Sequence, residues 1–178
     1  MDFELSEDQR AIAQMADSLF VDHCHDDYMR QWDVSGEPMM TPLWKLCIET
    51  GLQALAIPEE HGGSGLGMTE LMLVLQAQGK ALAQVPLWRH QLAAATLARF
   101  AALGSAGWIA KAASGEALLS LSIDGLNSAL GIELQATACA DGWSINGRVA
   151  ALSLGDQAHA ALVVVQAKGE PRLLLLDL

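Results

Sequence analysis

The stretch that decides the fold is Pro58-Glu59-Glu60-His61-Gly62-Gly63-Ser64-Gly65-Leu66-Gly67, which lies between two apolar segments with helical patterning. Glycine occupies four of its last six positions, so the backbone can take positive φ and approach neighbouring chain closely. Pro58 fixes its own φ and disfavours helix at the residue before it. We predict a sharp turn set by the backbone rather than a flexible linker, because flexible linkers are polar throughout. A phosphate-binding loop fits less well, since neither G-x-G-x-x-G after a strand nor G-K-[ST] is present.

On both sides of this turn, apolar residues recur with the period of an α-helix. Ser6 and Gln9 have the spacing of a capping box, and apolar residues then repeat from Ile12 to Phe20. We expect this helix to end between residues 23 and 28, and a loop over 33–38. Four further helices are predicted: from a Thr41 cap with Pro42 to Gly51, from a Thr69 cap through Leu82, from Pro86 to near Gly104, and from Ala106 to Ala113. The helix that follows Thr69 is apolar on so many sides that we predict it to be largely buried.

The pattern changes after residue 115, where short aliphatic runs alternate with Gly, Asn and Asp. Six runs predict strands: 117–123, 134–139, 143–145, 149–154, 160–166 and 172–176. Asn146-Gly147 predicts a hairpin turn. Helices that come first and strands that follow indicate an α+β fold, with an all-α domain at 1–115 and a barrel- or sandwich-like β domain at 116–178. The last run is so apolar that it requires a neighbouring strand or another cover.

Composition excludes several classes of function. The chain has 178 residues, of which 52% are hydrophobic and 17% charged, so it can bury a sizeable core. Its net charge of −11 at pH 7 would repel phosphates, which argues against nucleic-acid binding. Three widely spaced cysteines predict neither a disulfide framework nor a zinc site, and they fit a cytoplasmic protein. No apolar run reaches the roughly 18 residues that a membrane helix needs.

Several polar residues have both a chemical and a structural interpretation. His23 and Asp27 would share one side of a helix, but no second cluster completes a metal site, so we favour a solvated helix end and predict no metal. Cys47 follows the apolar face of its helix and is predicted to be a small buried residue rather than a nucleophile. His90 is predicted to lie on the polar face of its helix.

Three segments together resemble one family. The glycine-rich turn is similar to the P-E-E-[YH]-G-G-x-G-[LM] turn of acyl-CoA dehydrogenases, Asp2 to Arg10 resembles the usual start of that family, and Gly142 to Arg148 resembles its G-x-x-x-N-G-x-K segment. The resemblance implies FAD, an acyl-CoA substrate that loses its α proton and β hydride, an electron-transfer flavoprotein as acceptor, and a tetrameric assembly. It implies a place in fatty-acid or steroid degradation.

The resemblance further implies that the chain is truncated relative to the family. The family has a C-terminal helical bundle, which carries the glutamate base and covers the flavin, and we expect it to be absent here. No catalytic residue is therefore assigned in this chain.

Two segments of the β part correspond to the flavin contacts of the family. In the first, Asp124 stands for the glutamate of [LAM]-[ST]-E-P-x-A-G-S-D, and Ile123 takes the hydroxyl position unless Ser122 shifts into it. Gly125 replaces the proline, and Ser128 stands near the serine of the family. Backbone N–H groups there can still bind flavin oxygens, because they do not depend on the side chain.

In the second segment, the [FW]-I-T of the family becomes Ala151-Leu152-Ser153, which keeps a hydroxyl and loses the aromatic ring. The predicted cofactor-binding residues are thus Ser122, Ile123, Asp124, Ser128, Leu152 and Ser153. An alternative that stays open is that Ser128 and Ser153 are ordinary turn and strand residues.

The departures from the family pattern leave other functions open. One is a non-catalytic or structural subunit of a heteromeric acyl-CoA dehydrogenase, which would scaffold the site of an active partner. Another is a flavin-dependent monooxygenase on the same fold. The oligomer would be homomeric in a self-sufficient enzyme and heteromeric in a scaffolding subunit.

Overall fold

The computed structural model of the chain describes residues 4–100, 105–126, 129, 131–140, 142–149 and 151–178, with the side chain of Asp124 left out. The chain divides into two compact units, Met1–Glu116 and Ala117–Leu178, here called the helical unit and the β unit. Helices make up the first unit and strands dominate the second, so the predicted α+β class is confirmed. Within the described residues, every helix is too short or too polar to cross a bilayer.

The described part of the helical unit contains six α-helices. They are α1 (Glu7–His23), α2 (Asp26–Ser35), α3 (Thr41–Glu49), α4 (Met68–Lys80), α5 (Leu87–Phe100) and α6 (Ala106–Ser114). The capping box predicted for α1 is confirmed, since the Gln9 N–H donates to Ser6 Oγ at 3.1 Å and the Ser6 N–H donates to Gln9 Oε1 at 3.0 Å. The loop predicted over 33–38 is wrong at its start. His25 Nδ1 accepts from the Tyr28 N–H at 3.3 Å and so caps a second helix that continues to Ser35.

The caps predicted at Thr41 and Thr69 are both wrong. Thr41 is already helical, and Met40 precedes it without a side-chain cap. Gly67 occupies the cap position of α4, where the Glu70 carboxylate accepts from the Gly67 N–H at 2.9 Å. The Glu70 carboxylate satisfies the N–H group of the cap residue itself, whereas a threonine cap would accept from an N–H group two or three residues into the helix.

The glycine-rich stretch forms the sharp corner that its sequence predicts. Three backbone N–H groups, at Ser64, Gly65 and Leu66, donate to the carbonyls of residues 54, 57 and 55 at 2.8–3.0 Å, so the stretch folds back on the segment before it. A Cβ atom at Gly63 would lie 2.1 Å from the Ile57 carbonyl oxygen. Only glycine allows the backbone this approach, so the corner is fixed by packing of the main chain.

Helix α4 is less buried than predicted. Leu71, Val74 and Ala77 point into the core, whereas Met68 and Met72 are 53% and 57% exposed. The helix therefore has one buried face and one solvent-exposed face, and the exposed face carries apolar methionine side chains. Because these apolar side chains are exposed, hydrophobicity alone overestimates how much of the helix is buried.

The β unit contains one five-stranded sheet in its described residues. Its strands are β1 (Leu119–Ser122), β2 (Gln135–Cys139), β3 (Gly142–Asn146), β4 (Ala160–Ala167) and β5 (Glu170–Asp177). Strand β4 is central: β5 pairs with it antiparallel along its whole length, while β1 and the end of β2 pair with its other edge in parallel. Strand β3 pairs with β2 in an antiparallel hairpin.

One face of this sheet carries a core made by alternate residues of β4. Leu134, Ala136, Ala161, Val163, Val165 and Ala167 are buried together, and Ile145, Val149, Leu152, Leu174 and Leu176 pack against them. The strand predicted at 149–154 is wrong for its described residues, which form irregular chain and a turn and cover this core.

The hairpin predicted at Asn146-Gly147 is also wrong, because β3 ends there without a partner strand after it. Gly147 instead has φ +128°, and a Cβ there would lie 2.3 Å from the Glu133 carbonyl oxygen.

Candidate functional site

The first predicted flavin segment lies at the end of β1. Ser122 closes the strand and is buried, whereas Ile123, the next residue, is 39% exposed. The chain then enters a 3-10 turn over Asp124–Leu126, in which the Leu126 N–H donates to the Ile123 carbonyl at 3.0 Å. Ser128 lies outside the described residues. The segment thus presents two exposed aliphatic side chains, Ile123 and Leu126, and a tightly turned backbone after the strand.

The second predicted segment, Leu152 and Ser153, passes over the sheet face that carries the buried core of the β unit. Leu152 is half-buried and packs against the core of the β unit, so its side chain has a structural role. Ser153 is exposed. Leu154 follows with φ +53°, a conformation that non-glycine residues rarely adopt.

One hydrogen bond brings the two segments together. The buried Ser120 hydroxyl in β1 donates to the Ser153 carbonyl at 2.6 Å. Ser120 and Ser122 alternate along the strand and share a face, about 7 Å apart. Ser120, in the first half of β1, therefore lies against the 152–153 segment.

A small cavity adjoins Ser122 in the β unit. It has a volume of about 20 Å³ and is lined by residues of the segments 122–125, 131–134 and 148–149 together with Val164. Glu133 and Arg148, two of its lining residues, form an ion pair at 3.4 Å. Such a volume is roughly that of one water molecule. The cavity does not enclose a three-ring system.

The described residues of the β unit fit one wall of a flavin site rather than a closed pocket. The exposed Ser153 offers a hydroxyl, and the exposed Ile123 on the other segment offers an apolar contact. The Leu152 side chain packs against the core of the β unit, so it supports the segment and is not available to contact a flavin. Among the described residues, no group of three or more His, Cys, Asp or Glu side chains is placed to hold a metal ion.

The helical unit has its own buried polar residues, which the sequence patterns did not reveal. Gln53 Nε2 donates to the Ala113 carbonyl at 2.8 Å, and the Gln91 amide joins Leu52 and Ala56 through two bonds of 3.0 and 2.9 Å. These amides tie the chain before the glycine corner to α5 and α6. A single glutamine in an apolar run gives no sequence signal of such a role.

His90 was predicted on a polar face, and that prediction is wrong. The residue is fully buried, its Nε2 lies 3.2 Å from the Ala112 carbonyl, and its ring meets Trp44 edge-on at 5.3 Å. Burial lowers the pKa of His90 to about 4, so the ring is neutral at pH 7. Because a carbonyl oxygen only accepts hydrogen bonds, the His90 Nε2–H donates to it. It is a structural residue.

Cys47 is buried as predicted, and burial raises the pKa of its thiol to about 12. A thiol with so high a pKa is inert as a nucleophile.

The sequence model described as "Acyl-CoA dehydrogenase, N-terminal domain" matches residues 6–116 of the chain. The chain belongs to the acyl-CoA dehydrogenase family. The acyl-CoA dehydrogenase FadE27 of Mycobacterium tuberculosis is 32% identical to it over 165 residues, which cover 92% of this chain and 44% of that protein. The chain therefore spans less than half the length of this relative.

Two solved structures of family-like chains are also similar. A chain in the ChsE4-ChsE5 complex from Mycobacterium tuberculosis is 29% identical, with a TM-score of 0.88 over 99% of this chain and 49% of that chain. A chain in the Tcur3481-Tcur3483 steroid ACAD, a G363A variant, is 27% identical, with a TM-score of 0.86 over 96% of this chain and 48% of that chain. Each of these structures is an assembly named for two different proteins.

Proposed function

We propose that the chain is the FAD-contacting portion of an acyl-CoA dehydrogenase that oxidises the α,β bond of an acyl-CoA thioester. Ser122 to Asp124, Ser128 and Leu152 to Ser153 form its flavin-facing segments. Membership of the family supports the reaction class. The acceptor of the electrons would be an electron-transfer flavoprotein, and the substrate a fatty-acyl or steroid-derived thioester.

The observation that carries the proposal is the junction between Ser120 and Ser153. It holds two segments, whose bonded residues are 33 positions apart in sequence, against one another beside β1. Ile123, three residues after Ser120, is 39% exposed, and Ser153 is exposed. An exposed hydroxyl and an exposed aliphatic side chain on the two segments suit a flat heterocycle with polar edges.

The roles within the chain follow from this arrangement. Bound FAD would supply the hydride-accepting ring. The Ser153 hydroxyl would donate a hydrogen bond to its polar edge, Ile123 would contact its apolar part, and Leu152 would anchor the segment in the core. Abstraction of the α proton needs a carboxylate base, which we assign to no residue of this chain.

The three cysteines are free, which supports a reducing compartment and hence the cytoplasm.

Reconstitution with FAD tests the proposal. The purified 178-residue chain, loaded with FAD and desalted, should retain about one flavin per chain and show its visible absorption. A Gly79→Ala variant is a matched control, because that position lies in α4 with open space around its Cβ and should leave flavin retention unchanged. A colourless wild-type chain would contradict flavin binding by the chain alone.

A second candidate is a subunit that scaffolds the site of a partner without holding FAD itself. The observation that favours it is the cavity of about 20 Å³, which cannot enclose a flavin. The two-protein assemblies among the similar structures support a heteromer. This candidate predicts a colourless chain that gains flavin only when co-expressed with a longer acyl-CoA dehydrogenase. The first candidate predicts flavin in the chain alone.

A further inference from the structure

We infer that Ser120 is a positioning residue whose hydroxyl holds the Leu152–Ser153 segment in register for the flavin. The inference rests on the proposed function. It extends that function to a residue that none of the flavin-motif positions includes, since Ser120 lies in the middle of β1 and does not reach the surface itself.

The first support is the environment of Ser120. Ser120 is 2% exposed. It is the register partner of Ala161 in β4, so its side chain lies on the apolar face of the sheet. The buried core on that face is made of Ala, Val and Leu, so Ser120 and Ser122 bring hydroxyls into an apolar environment. The Ser120 hydroxyl is satisfied by the Ser153 carbonyl at 2.6 Å, so the residue connects the strand to a segment 33 positions away.

The second support is the way the chain leaves Ser153. Leu154 takes φ +53°, and its carbonyl accepts two N–H groups, from Gln157 at 2.9 Å and Ala158 at 2.7 Å. A left-handed leucine persists only where the surroundings determine it, and such conformations cluster at functional sites. The strained turn fixes one end of the segment.

Three contacts therefore define the position of Ser153. Leu152 packs into the core on one side, the Leu154 turn follows on the other, and Ser120 binds the carbonyl between them. Because the carbonyl is bound to Ser120, the residue keeps its exposed position next to β1. Loss of the Ser120 hydroxyl removes the one side-chain hydrogen bond among the three.

The inference is tested by Ser120→Ala in the full chain, with FAD affinity and the flavin reduction potential as readouts. We expect the dissociation constant for FAD to rise about tenfold, the effect of one well-placed hydrogen bond, and the potential to shift. Ser120→Thr, which keeps the hydroxyl on a β-favouring side chain, should restore both. An unchanged affinity and potential in the alanine variant would overturn the inference.

A matched control is His159→Ala. It removes another side-chain hydrogen bond of the β unit, from the Leu118 N–H to His159 Nδ1 at 3.1 Å, just before β1 begins. A purely structural role for Ser120 predicts that both variants lose FAD affinity in proportion to their loss of thermal stability. Positioning predicts that only Ser120→Ala alters the potential.

Amide hydrogen exchange separates this inference from the proposed function. In the flavin-free chain, Ser120→Ala should speed exchange at residues 153–158 several-fold, whereas His159→Ala should not. If the wild-type chain retains no FAD, the proposed function of the chain fails, and the exchange rates still decide whether Ser120 holds the segment. Unchanged exchange there would overturn the inference whatever the flavin result.

Discussion

The helical unit and the β unit resemble the family for different physical reasons. In the helical unit, the glycine corner is recognisable because its backbone leaves no room for a side chain: a Cβ at Gly63 would lie 2.1 Å from the Ile57 carbonyl oxygen. In the β unit, Ile123 and Ser153 stand at positions that correspond to flavin contacts of the family, and both are exposed. A motif with a packing explanation identifies a fold, whereas an exposed motif without one points to a ligand.

The glycine corner of the helical unit should show the largest effect on stability. Gly63→Ala forces a Cβ within 2.1 Å of a carbonyl oxygen, and the backbone must shift to admit it. We expect a loss of about 3 kcal/mol or more in the free energy of unfolding. Urea unfolding followed by tryptophan fluorescence measures it, because four of the five tryptophans lie in this unit.

Gly79→Ala is the control for the corner. It adds the same methyl group in α4, where nothing lies within 4 Å, and should stabilise the helix by about 0.5–1 kcal/mol. Equal effects of the two substitutions would show that the corner tolerates a side chain, and would remove the packing explanation of the motif.

The equivalent position in the β unit is Gly147. Its φ of +128° and a Cβ that would lie 2.3 Å from the Glu133 carbonyl predict a loss of about 2–3 kcal/mol for Gly147→Ala. The measurement is thermal unfolding followed at Trp143, the single tryptophan of this unit. A fully stable variant would show that the close approach at Gly147 tolerates a side chain and would remove the packing explanation of this residue.

The buried His90 gives the helical unit a dependence on pH. Its pKa is lowered to about 4 from the ordinary value of 6.5, so below pH 6.5 the unfolded chain binds a proton that the folded chain does not. Stability due to this residue is complete above pH 6.5 and is lost as pH falls toward 4. We expect a loss of about 2 kcal/mol between pH 7.5 and pH 5.

His90→Met should flatten that slope in urea titrations at several pH values. Gln53→Met is the control, since it removes a hydrogen bond to the adjacent carbonyl of Ala113 without removing a titratable group. It should be less stable at every pH and keep the wild-type slope. A His90→Met variant with an unchanged slope would contradict the assignment of the effect to this residue.

The smallest effect is expected at the ion pair of the β unit. Arg148 and Glu133 approach to 3.4 Å, but the Arg148 side chain is largely exposed. Arg148→Ala should change the free energy of unfolding by less than about 0.5 kcal/mol, and added salt should reduce the difference further. A much larger loss in thermal unfolding would mean that the motif residue Arg148 has a packing role after all.

The structural features that the sequence predicts also differ between the two units. The Ser6 capping box, the glycine corner and the order of helices before strands were predictable, because each depends on residues close together in the chain. The burial of His90 and the tie between Gln53 and α6 were not, because they depend on which helix lies opposite. Local patterning carries no information about that choice.

In the β unit, the aliphatic runs predicted five of the strands, and Leu173 to Leu176 found its neighbour in β4. The 149–154 run failed because its apolar residues pack onto a sheet face as irregular chain, which alternation cannot distinguish from a strand. The Asn146-Gly147 prediction failed because the glycine serves a close approach of the main chain rather than a hairpin. The flavin-facing residues came from family resemblance and stay a prediction.

The most direct test of the central claim is hydrogen exchange of the purified chain with and without FAD. The account predicts that FAD slows exchange in two stretches of the β unit, 122–126 and 151–157, and leaves the corner at 58–67 unchanged. Protection that misses both stretches, or a chain that takes up no FAD at all, would contradict it.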